Sequence, residues 1–543
     1  MKTAVQLENL SLTYEESGRT VLRDITLSIA REQDTLILGP SGSGKSSLVQ
    51  CLNGLYPENL DGEMTGHVYI HGRSTDDFKP GELAETVGSV FQDPETQFCM
   101  LTVEDEIAFG LENLRIPAEE MEPRINEVLE QVNLLDKKTS MIHQLSGGQK
   151  QKLALACVLV MEPDILLLDE PTANLDPRAA GEFIEVLTSI KRKRSLTIVV
   201  IEHRLEGWME LLSHVIVLRP DGGVISTGPL HDVMNKQAHI IHDQGIRLPY
   251  PIQYSLEEDV PPPYPFTLEK LAAQNVRLPS AHRPRRPYGK KIMEAVDVQW
   301  KDILKDISFS LYEGEWIAVV GANGSGKTSL SKIMAGITKP DSGMVHLKEK
   351  PIKKWTPERL RKESGYVFQN PEHQFVTDET FEEIAFSLRQ QGTAGLEISR
   401  RVKNMLSLCG LDGLDRHHPY QLSQGQKRRL SAATMMVENQ SVLFLDEPTF
   451  GQDAASTQQL MELLEERFQQ DTSLFMITHD MELVHRYATR VIVMDKGRIA
   501  FDGLPEQLWM HEHLSDWHIE PPLPVQLYRL LTERSRYHVS SYS

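Results

Sequence analysis

Short apolar runs recur along the chain, and each ends in a glycine-rich loop, an Asp-Glu pair or a histidine. The runs occupy residues 35–38, 164–168 and 196–201 in the first half and 316–320, 441–445 and 474–477 in the second. Runs of this length without polar alternation are typical of strands buried on both faces of a parallel sheet. A helix-like stretch at 45–52 follows the first loop. The pattern predicts an α/β fold.

The two halves repeat one another motif by motif. GPSGSGKSS at 39–47 recurs as GANGSGKTS at 321–329, and VFQDPETQF from Val90 recurs as VFQNPEHQF from Val367. LSGGQKQ and LSQGQKR, LLLDEPT and LFLDEPT, and a later histidine follow in the same order. The spacing is kept, except that the second half has five fewer residues between the motif lysine and the motif glutamine and one fewer before the later histidine. We interpret the chain as an internal duplication.

A proline-rich stretch separates the halves. Residues 249–288 contain PPPYP and RPRRP, and because proline fixes φ and disfavours helix before it, we predict an extended, semi-rigid linker. The predicted domains are 1–240 and 291–515, with a linker at 241–290 and a C-terminal tail at 516–543. Weakly similar Pro-containing segments at 246–249 and 519–522 hint at a duplicated appended element.

Composition excludes several classes of protein. Of 543 residues, 40% are hydrophobic and 25% charged, as in ordinary globular proteins. The net charge of -20, from 57 Lys and Arg against 77 Asp and Glu, argues against nucleic-acid binding through basic patches. The four cysteines form no CxxC pair, so we expect neither a zinc site nor disulfides. This cysteine usage fits a protein of the reducing cytoplasm. No apolar run approaches the roughly 18 to 20 residues of a membrane helix, so we expect a protein that is neither exported nor membrane-spanning.

The glycine-rich motifs predict two phosphate-binding loops. Both fit GxxxxGK[ST] between a strand and a helix, which is the context that the motif requires. Backbone N–H groups and the helix N-terminus would hold nucleotide phosphates, with Lys45 and Lys327 reaching the γ-phosphate. Ser46 and Thr328 would bind Mg²⁺ through their hydroxyls. The alternative, a glycine-rich turn with a structural lysine, is disfavoured by the two matched copies.

Acidic pairs end the next two buried strands. Asp169-Glu170 and Asp446-Glu447 would lie at the carboxyl edge of the sheet, where open α/β sheets bind ligands. The aspartates would hold Mg²⁺, directly or through water, and the glutamates would polarise the attacking water. The alternative is that each Asp-Glu pair is only a solvated end of a strand. For one isolated copy this alternative would be reasonable, but two copies that each accompany a phosphate loop disfavour it.

The remaining motifs resemble those of ABC-type ATPases. The resemblance rests on SGGQ at 146–149, DEPT at 169–172, Gln92 and His203 in the first half, and on SQGQ at 423–426, DEPT at 446–449, Gln369 and His479 in the second. It implies an α/β fold of two tandem ABC nucleotide-binding domains, each a P-loop core sheet with an antiparallel β subdomain and a helical subdomain. Family domains meet head to tail, which implies ATP sites formed within one chain, Lys45 pairing with Ser423 and Lys327 with Ser146.

Residue roles follow from motif and resemblance together. The implied catalytic residues are Gln92, Glu170, His203, Gln369, Glu447 and His479. The implied ligands of Mg²⁺ are Ser46, Gln92, Asp169, Thr328, Gln369 and Asp446. The implied ATP-binding residues are Tyr14, Gly39, Pro40, Ser41, Gly42, Ser43, Gly44, Lys45, Ser46, Ser47, Ser146, Gly148, Trp300, Gly321, Ala322, Asn323, Gly324, Ser325, Gly326, Lys327, Thr328, Ser329, Ser423 and Gly425.

Three of these assignments have simpler alternatives. Tyr14 and Trp300, which would stack on adenine, are alternatively core aromatics. His203 and His479 each follow an apolar strand, where a lone histidine is more often structural. The serines of SGGQ and SQGQ would also cap helices, because the N–H groups of a helix N-terminus serve both purposes.

Two departures from the family pattern set the halves apart. Gln424 replaces the first signature glycine, and Gly451-Gln452-Asp453 replaces a loop that the first half approximates as Asn174-Leu175-Asp176. Both glutamates and both histidines are retained, so we expect both sites to hydrolyse ATP. The Lys45/Ser423 site is expected to be the more atypical.

QDPETQF and QNPEHQF, each followed by a Thr-led acidic helix start, resemble the ATPase component of energy-coupling factor (ECF) transporters. These importers take up vitamins and transition-metal ions through separate small substrate-binding proteins. Fusion of two ATPases resembles the subgroup linked to thiamine or its hydroxymethylpyrimidine precursor. The resemblance implies a peripheral protein on the cytoplasmic membrane face, with a transmembrane coupling protein and a small membrane substrate-binding protein as partners; from the charge, we expect no nucleic acid as a partner.

Other ABC classes compete with this interpretation. Twin-domain sugar importers and translation factors that act on the ribosome remain as alternatives. ABC proteins that act on DNA are excluded, because the interval from Lys45 to Ser146 leaves no room for their long coiled coils.

Acidic residues begin the predicted helix that follows each of the motifs QDPETQF and QNPEHQF. They are Glu104, Asp105 and Glu106 in the first half and Glu382 and Glu383 in the second. One interpretation is that they stabilise the helix N-terminus, by about 0.3 to 1 kcal/mol each. The other is that they also receive basic helices of a transmembrane partner.

Overall fold

The computed structural model describes residues 2–15, 18–57, 59–79, 81–173, 175–274, 276, 289–450, 452 and 454–540, and only the backbone at 177, 424, 454 and 533–540. Several features discussed above lie outside the described residues. They are Asn174, Gly451, Asp453, the side chain of Gln424 and the RPRRP stretch of the predicted linker.

The chain divides into two compact units, and each contains one copy of the repeated motifs. The first unit is Met1–Thr267 with Asp453–Ala455, and the second is Leu268–Gln452 with Ser456–Ser543. The division falls within 241–290. That stretch is not extended throughout, because Tyr250–Glu257 and Leu268–Ala272 are helical. A proline in the first turn of the former is favourable there, since its missing N–H would have no helical partner.

The first unit alternates strands and helices along the chain. Its strands are β1 (Thr3–Tyr14), β2 (Thr20–Ala30), β3 (Thr35–Leu38), β4 (Gly62–Ile70), β5 (Arg73–Ser74), β6 (Val87–Val90), β7 (Ile165–Asp169), β8 (Thr197–Ile201), β9 (His214–Leu218) and β10 (Val224–Pro229). Its helices are α1 (Lys45–Leu52), α2 (Glu82–Thr86), α3 (Val103–Asn113), α4 (Ala118–Gln131), α5 (Gly147–Leu159), α6 (Pro177–Lys193), α7 (Leu230–Asp243) and α8 (Tyr250–Glu257).

The second unit repeats this order. Its strands are β11 (Lys291–Trp300), β12 (Leu304–Tyr312), β13 (Trp316–Val320), β14 (Ser342–Leu347), β15 (Lys350–Pro351), β16 (Ser364–Val367), β17 (Val442–Asp446), β18 (Ser473–Ile477), β19 (Arg490–Asp495) and β20 (Arg498–Gly503). Its helices are α9 (Leu268–Ala272), α10 (Lys327–Met334), α11 (Pro357–Glu363), α12 (Thr380–Gln390), α13 (Gly395–Leu408), α14 (Gln424–Met436), α15 (Ala454–Gln469), α16 (Met481–Tyr487), α17 (Pro505–Trp509) and α18 (Leu523–Ser540).

Each unit has a central sheet and a separate antiparallel sheet. In the first unit the orders are β10-β9-β3-β8-β7-β6 and β2-β1-β4-β5, and in the second β20-β19-β13-β18-β17-β16 and β12-β11-β14-β15. The central strands run parallel, apart from β10 and β20, which pair antiparallel with β9 and β19. Helices α3 and α4, or α12 and α13, form the helical lobe before the signature. The predicted fold class is confirmed.

The apolar runs are the inner strands of the central sheets, and each contributes to two cores. In β7, Leu166 and Leu168 pack with helices α3–α6, whereas Ile165 and Leu167 pack with α1 and the antiparallel sheet. The strand β17 repeats this alternation. Coverage on both faces explains why the runs lack polar residues. Within the described ranges, no helix is long and apolar enough to cross a membrane.

Candidate functional site

Each phosphate-binding motif connects a central strand to a helix, β3 to α1 and β13 to α10. Gly44 and Gly326 precede the helices with φ of 87° and 101°. A Cβ on Gly44 would lie 2.5 Å from the carbonyl oxygen of Val21. The loop therefore needs glycine here, both for its left-handed backbone and for the close approach.

The lysine of each loop folds back onto the loop itself. Lys45 Nζ donates to the carbonyl oxygens of Gly39 and Pro40 at 2.9 and 3.0 Å. Lys327 makes the same two bonds, to Gly321 and Ala322, at 2.7 and 2.9 Å. Both ammonium-bearing side chains are buried, so each loop holds a positive charge at its centre.

A serine in each loop is buried without a partner. The hydroxyls of Ser43 and Ser325 have no protein hydrogen bond within the described part of the chain. A buried unpaired hydroxyl is costly, and beside a helix N-terminus it suits the oxygens of an anion. The donor set therefore fits nucleotide phosphates. The other predicted loop residues, Ser41, Gly42, Asn323, Gly324 and Ser329, lie in the same loops or in the first turn of the following helix.

A hydroxyl and a carboxylate meet beside each loop. Ser46 Oγ donates to Asp169 Oδ1 at 3.2 Å, and Thr328 Oγ1 donates to Asp446 Oδ1 at 3.1 Å. Burial raises the pKa of Asp169 to about 6, and burial also raises the pKa of Asp446. Oxygen ligands of this kind suit Mg²⁺, and a nearby cation favours the charged form of a carboxylate. The residues fit the predicted metal role.

The glutamate after each aspartate has a left-handed backbone. The φ angle is 48° at Glu170 and 49° at Glu447, a conformation that costs a non-glycine residue about 1 to 3 kcal/mol. Their N–H groups donate to the carbonyl oxygens of Ile201 and Ile477, at 3.0 and 3.1 Å. Because the same strain recurs at matched positions, we attribute it to the sharp turn that the site requires after the strand.

The predicted glutamine and histidine reach the first glutamate. Gln92 Nε2 donates to Glu170 Oε2 at 2.9 Å, and His203 Nε2 lies 2.9 Å from Glu170 Oε1. In the second unit, His479 Nε2 lies 3.2 Å from Oε1 of the matching glutamate, and Gln369 is exposed in the loop after β16. The structure brings these groups together, and their roles in hydrolysis stay predictions.

A tyrosine that sequence reasoning missed contacts the second aspartate. Tyr366 Oη donates to Asp446 Oδ2 at 3.2 Å and lies 2.9 Å from Ser331 Oγ. Ser89 is its counterpart in the first unit and accepts a bond from Asn53 Nδ2 at 3.1 Å. The repeat offered a signal, since YVFQ in one half matches SVFQ in the other.

An arginine, also missed, supports the second glutamate. Arg428 donates to the carbonyl oxygen of Glu447 at 2.9 Å, and burial raises the pKa of the Glu447 carboxyl to about 7. The first unit has Gln151 at this position, and its side chain donates to the carbonyl oxygen of Phe91 at 3.4 Å. The candidate catalytic groups of the two units thus have different neighbours.

The signature serines cap helices, as predicted. Ser146 and Gln149 form a reciprocal capping box at the start of α5, and Ser423 begins α14 in the same way. A Cβ on Gly148 would lie 3.1 Å from the Cβ of Ala179 on α6, so this glycine permits close packing. Contact of the serines with ATP stays a prediction.

The two predicted adenine-stacking aromatics end matched strands, β1 and β11. Tyr14 Oη lies 2.6 Å from Ser47 Oγ of the phosphate loop, and its ring centre lies 6.2 Å from that of Tyr56. Trp300 has the ammonium of Lys301 4.5 Å from its ring centre. Both rings also pack on the core of the antiparallel sheet, so the adenine role stays a prediction.

Two of the acids at the helix starts are buried. Glu106 accepts the N–H groups of Cys99 and Met100 at 2.9 and 2.6 Å, and Glu383 makes the matching pair of bonds at 2.9 and 2.8 Å. Each is 5% exposed. They fasten the loop after the motif glutamine, so the docking interpretation is wrong for these two residues. An acid in the first helical turn is usually exposed, and only the folded loop reveals the exception.

Comparison with known proteins gives consistent matches. The family model described as "ABC transporter" matches residues 22–173 and 304–450. YkoD of Bacillus subtilis, named provisionally as an HMP/thiamine import ATP-binding protein, is 44% identical over 513 residues, which cover 93% of this chain and 92% of that protein. A provisionally named ABC transporter ATP-binding protein of Methanosarcina mazei is 35% identical over 96% of this chain and 93% of its own. The structure of cbiO1 from Clostridium perfringens, described as part of the ABC transporter complex cbiONQ, is 32% identical over 48% of this chain and 100% of its own, with a TM-score of 0.41.

Proposed function

The chain belongs to the ABC transporter family and is an ATP-binding protein and ATPase, and from this premise we propose that it is the energy-coupling subunit of an ECF-type importer for thiamine or its hydroxymethylpyrimidine precursor. The observation that best supports this proposal is the 44% identity, over 93% of the chain, to a relative named for HMP/thiamine import. That similarity extends over both units and is not confined to the nucleotide motifs that unrelated importers share.

In the proposed reaction, the loop lysines move from the loop carbonyls to the γ-phosphate of ATP. The buried hydroxyls of Ser43 and Ser325 are free to donate to phosphate oxygens. Bound Mg²⁺ would supply charge neutralisation between the phosphates, held by Ser46 with Asp169 and by the matching pair of the second unit.

Glu170 and Glu447 would orient the attacking water and accept its proton. Their strained backbone fixes the carboxylate after the strand, and His203 and His479 contact one carboxylate oxygen each. The other oxygen of Glu170 accepts from Gln92. A water molecule between the carboxylate and the γ-phosphate would therefore meet a carboxylate whose position is already set.

We also propose that each ATP binds between the loop of one unit and the signature of the other, Lys45 with Ser423 and Lys327 with Ser146. Both serines are exposed at the N-terminus of a helix. Such a terminus presents N–H groups and the positive end of a dipole, which favour a phosphate. The family resemblance supplies the pairing.

Membrane partners are part of the proposal, with the chain peripheral on the cytoplasmic face. Leu101 and Val376 are 71% and 64% exposed, on the two loops that Glu106 and Glu383 fasten. A large exposed apolar side chain on each of the two matched loops favours a protein interface there. We propose that a transmembrane coupling protein docks on these loops and that a small membrane protein binds the substrate.

The test is reconstitution with a transmembrane coupling protein and a small membrane substrate-binding protein from the same genome. Vesicles containing the complex should take up labelled thiamine or hydroxymethylpyrimidine when ATP is present, and Glu170→Gln/Glu447→Gln should abolish the uptake. Transport of a sugar or a metal ion instead would overturn the proposed cargo. Co-sedimentation with ribosomes, without membrane association, would overturn the importer proposal itself.

A further inference from the structure

A buried carboxylate adjoins the catalytic pair in the first unit and has no counterpart in the second. Glu202 follows β8 and immediately precedes His203, and it is 2% exposed. At the matching position before His479, the second unit has Thr478. A buried carboxyl group in one unit thus corresponds to a neutral hydroxyl in the other.

The contacts of this carboxylate join two catalytic segments. Glu202 Oε1 accepts from the backbone N–H of Thr172 at 2.9 Å and from Thr172 Oγ1 at 2.6 Å. Glu202 Oε2 accepts from the N–H of His203 at 3.2 Å. Thr172 lies two residues after Glu170 in the turn that follows β7. One side chain therefore ties the turn that carries Glu170 to the segment that carries His203.

The fold itself does not require an acid here. Burying a carboxylate is unfavourable unless donors surround it, and burial raises the pKa of Glu202 to about 7 despite its bonds to Thr172. The second unit forms the same turn with Thr478, whose hydroxyl instead accepts from the N–H of Asp480 at 3.0 Å. A costly group that the duplicate lacks points to a local task in the first unit.

We infer that Glu202 is a positioning residue for hydrolysis in the first unit, holding Glu170 and His203 at the separation that the reaction requires. The inference rests on the proposed catalytic role of Glu170. The contact between His203 Nε2 and Glu170 Oε1, at 2.9 Å, is short enough that a small displacement of either segment breaks it. Displacements of about 1 Å near a reacting group can lower rates by about 100-fold.

The prediction is a loss of rate without a loss of ATP binding. In the Glu447→Gln background, single-turnover hydrolysis at saturating ATP reports on the first unit's glutamate. Glu202→Thr, which copies the second unit, should lower that rate constant by about 10- to 100-fold and leave the ATP dissociation constant within about threefold. Glu202→Gln keeps the shape of the side chain and one oxygen acceptor, so its rate constant should lie between those of the parent and of Glu202→Thr. Glu206→Gln, at an exposed position on the same segment, is the matched control and should retain the parent rate.

The outcomes separate this inference from the proposed function. If the parent Glu447→Gln protein failed to hydrolyse ATP at any protein concentration while the wild type hydrolysed it, that result would contradict the proposal that Glu170 acts independently of Glu447. It would also contradict the role of Glu202 that depends on that proposal. An unchanged rate constant in Glu202→Thr would overturn the positioning role. So would a parallel loss of ATP affinity and rate in both Glu202→Thr and Glu202→Gln, because that pattern indicates a purely structural hydrogen bond. A Glu202→Thr protein that failed to fold would leave Glu202→Gln to decide, and a parent-like rate there would overturn the role.

Discussion

The two units build the same proposed catalytic frame with the backbone and support it with different side chains. Both glutamates adopt the same left-handed φ, and both aspartates accept from the hydroxyl that follows the loop lysine. The supports differ at three matched positions. The first unit has Ser89, Gln151 and Glu202 where the second has Tyr366, Arg428 and Thr478.

This difference shows which parts of the site the chemistry constrains. Backbone turns and the oxygen groups proposed to bind Mg²⁺ are repeated, because in the proposed reaction they would set the geometry around the phosphates. The outer contacts have diverged, since a hydroxyl, a guanidinium or a carboxylate can each hold a neighbouring group. We therefore expect the two sites to share a mechanism and to differ in rate and in metal dependence.

The largest expected effect tests whether both frames are catalytic. Glu170→Gln/Glu447→Gln should lower steady-state phosphate release by about 10² to 10⁴-fold while ATP still binds. The two single variants should lose unequal shares, because their supports differ. Normal hydrolysis by the purified double variant would contradict the assignment of both glutamates.

The buried acid near His203 should make the stability of the first unit depend on pH. Burial raises the pKa of Glu202 from 4.5 to about 7, so between these values the folded state holds a proton that the unfolded state has released. The stability linked to this proton is present below pH 4.5 and is lost as the pH rises through 7. Glutamine has no proton to lose, so Glu202→Gln escapes this loss. The unfolding free energy of the variant minus that of the wild type should therefore rise by about 2 to 3 kcal/mol between pH 4.5 and pH 8. Denaturant titrations at several pH values would measure it, with Thr478→Val as the pH-independent control.

Removing the buried loop acids should loosen the two loops unequally. Glu383 accepts from two N–H groups and from Thr377 Oγ1, whereas Glu106 accepts from two N–H groups. Glu383→Ala should cost about 2 kcal/mol and Glu106→Ala somewhat less, because buried donors lose their acceptor. Hydrogen exchange of the loop amides would report both. Glu382→Ala, at a surface ion pair with Arg389, serves as control, and an equal effect there would contradict the anchoring role.

The smallest effect concerns the tyrosine beside Asp446. Tyr366→Phe removes a donor to Oδ2, so the Mg²⁺ concentration for half-maximal activity of the second site should rise about fivefold, equivalent to about 1 kcal/mol. Magnesium titrations in the Glu170→Gln background would measure it. Ser89→Ala in the Glu447→Gln background should give no shift, and equal shifts in both would erase this difference between the units.

Local features were predictable from the sequence. The phosphate loops, the buried strands that end in Asp-Glu and the serine caps each lie within a few consecutive residues, and their backbone geometry is encoded there. The repeat shows the same order of these features twice, and the structure confirms the two-domain α/β fold that they imply.

Contacts between distant segments were not predictable in this way. Tyr366 meets Asp446 because β16 pairs with β17, and Glu202 meets Thr172 because β7 pairs with β8. Comparing the halves marks such positions as different without identifying the partner. The proline-rich stretch misled for another reason, since proline also starts helices, as it does at α8.

The inner strands of the central sheets are covered on both faces, and this burial limits where residues can be added or lost. The five residues that the second half lacks between the loop lysine and the motif glutamine all fall between the end of α10 and the end of β14, and from there to the glutamine both halves have the same number of residues. A single-residue insertion in β7 would turn the residues beyond it to the opposite face of the sheet and displace Asp169 from the loop. Between the loop lysine and the motif glutamine, the difference in length therefore falls at the outer antiparallel sheet, where we expect an engineered insertion to leave the inner strands undisturbed.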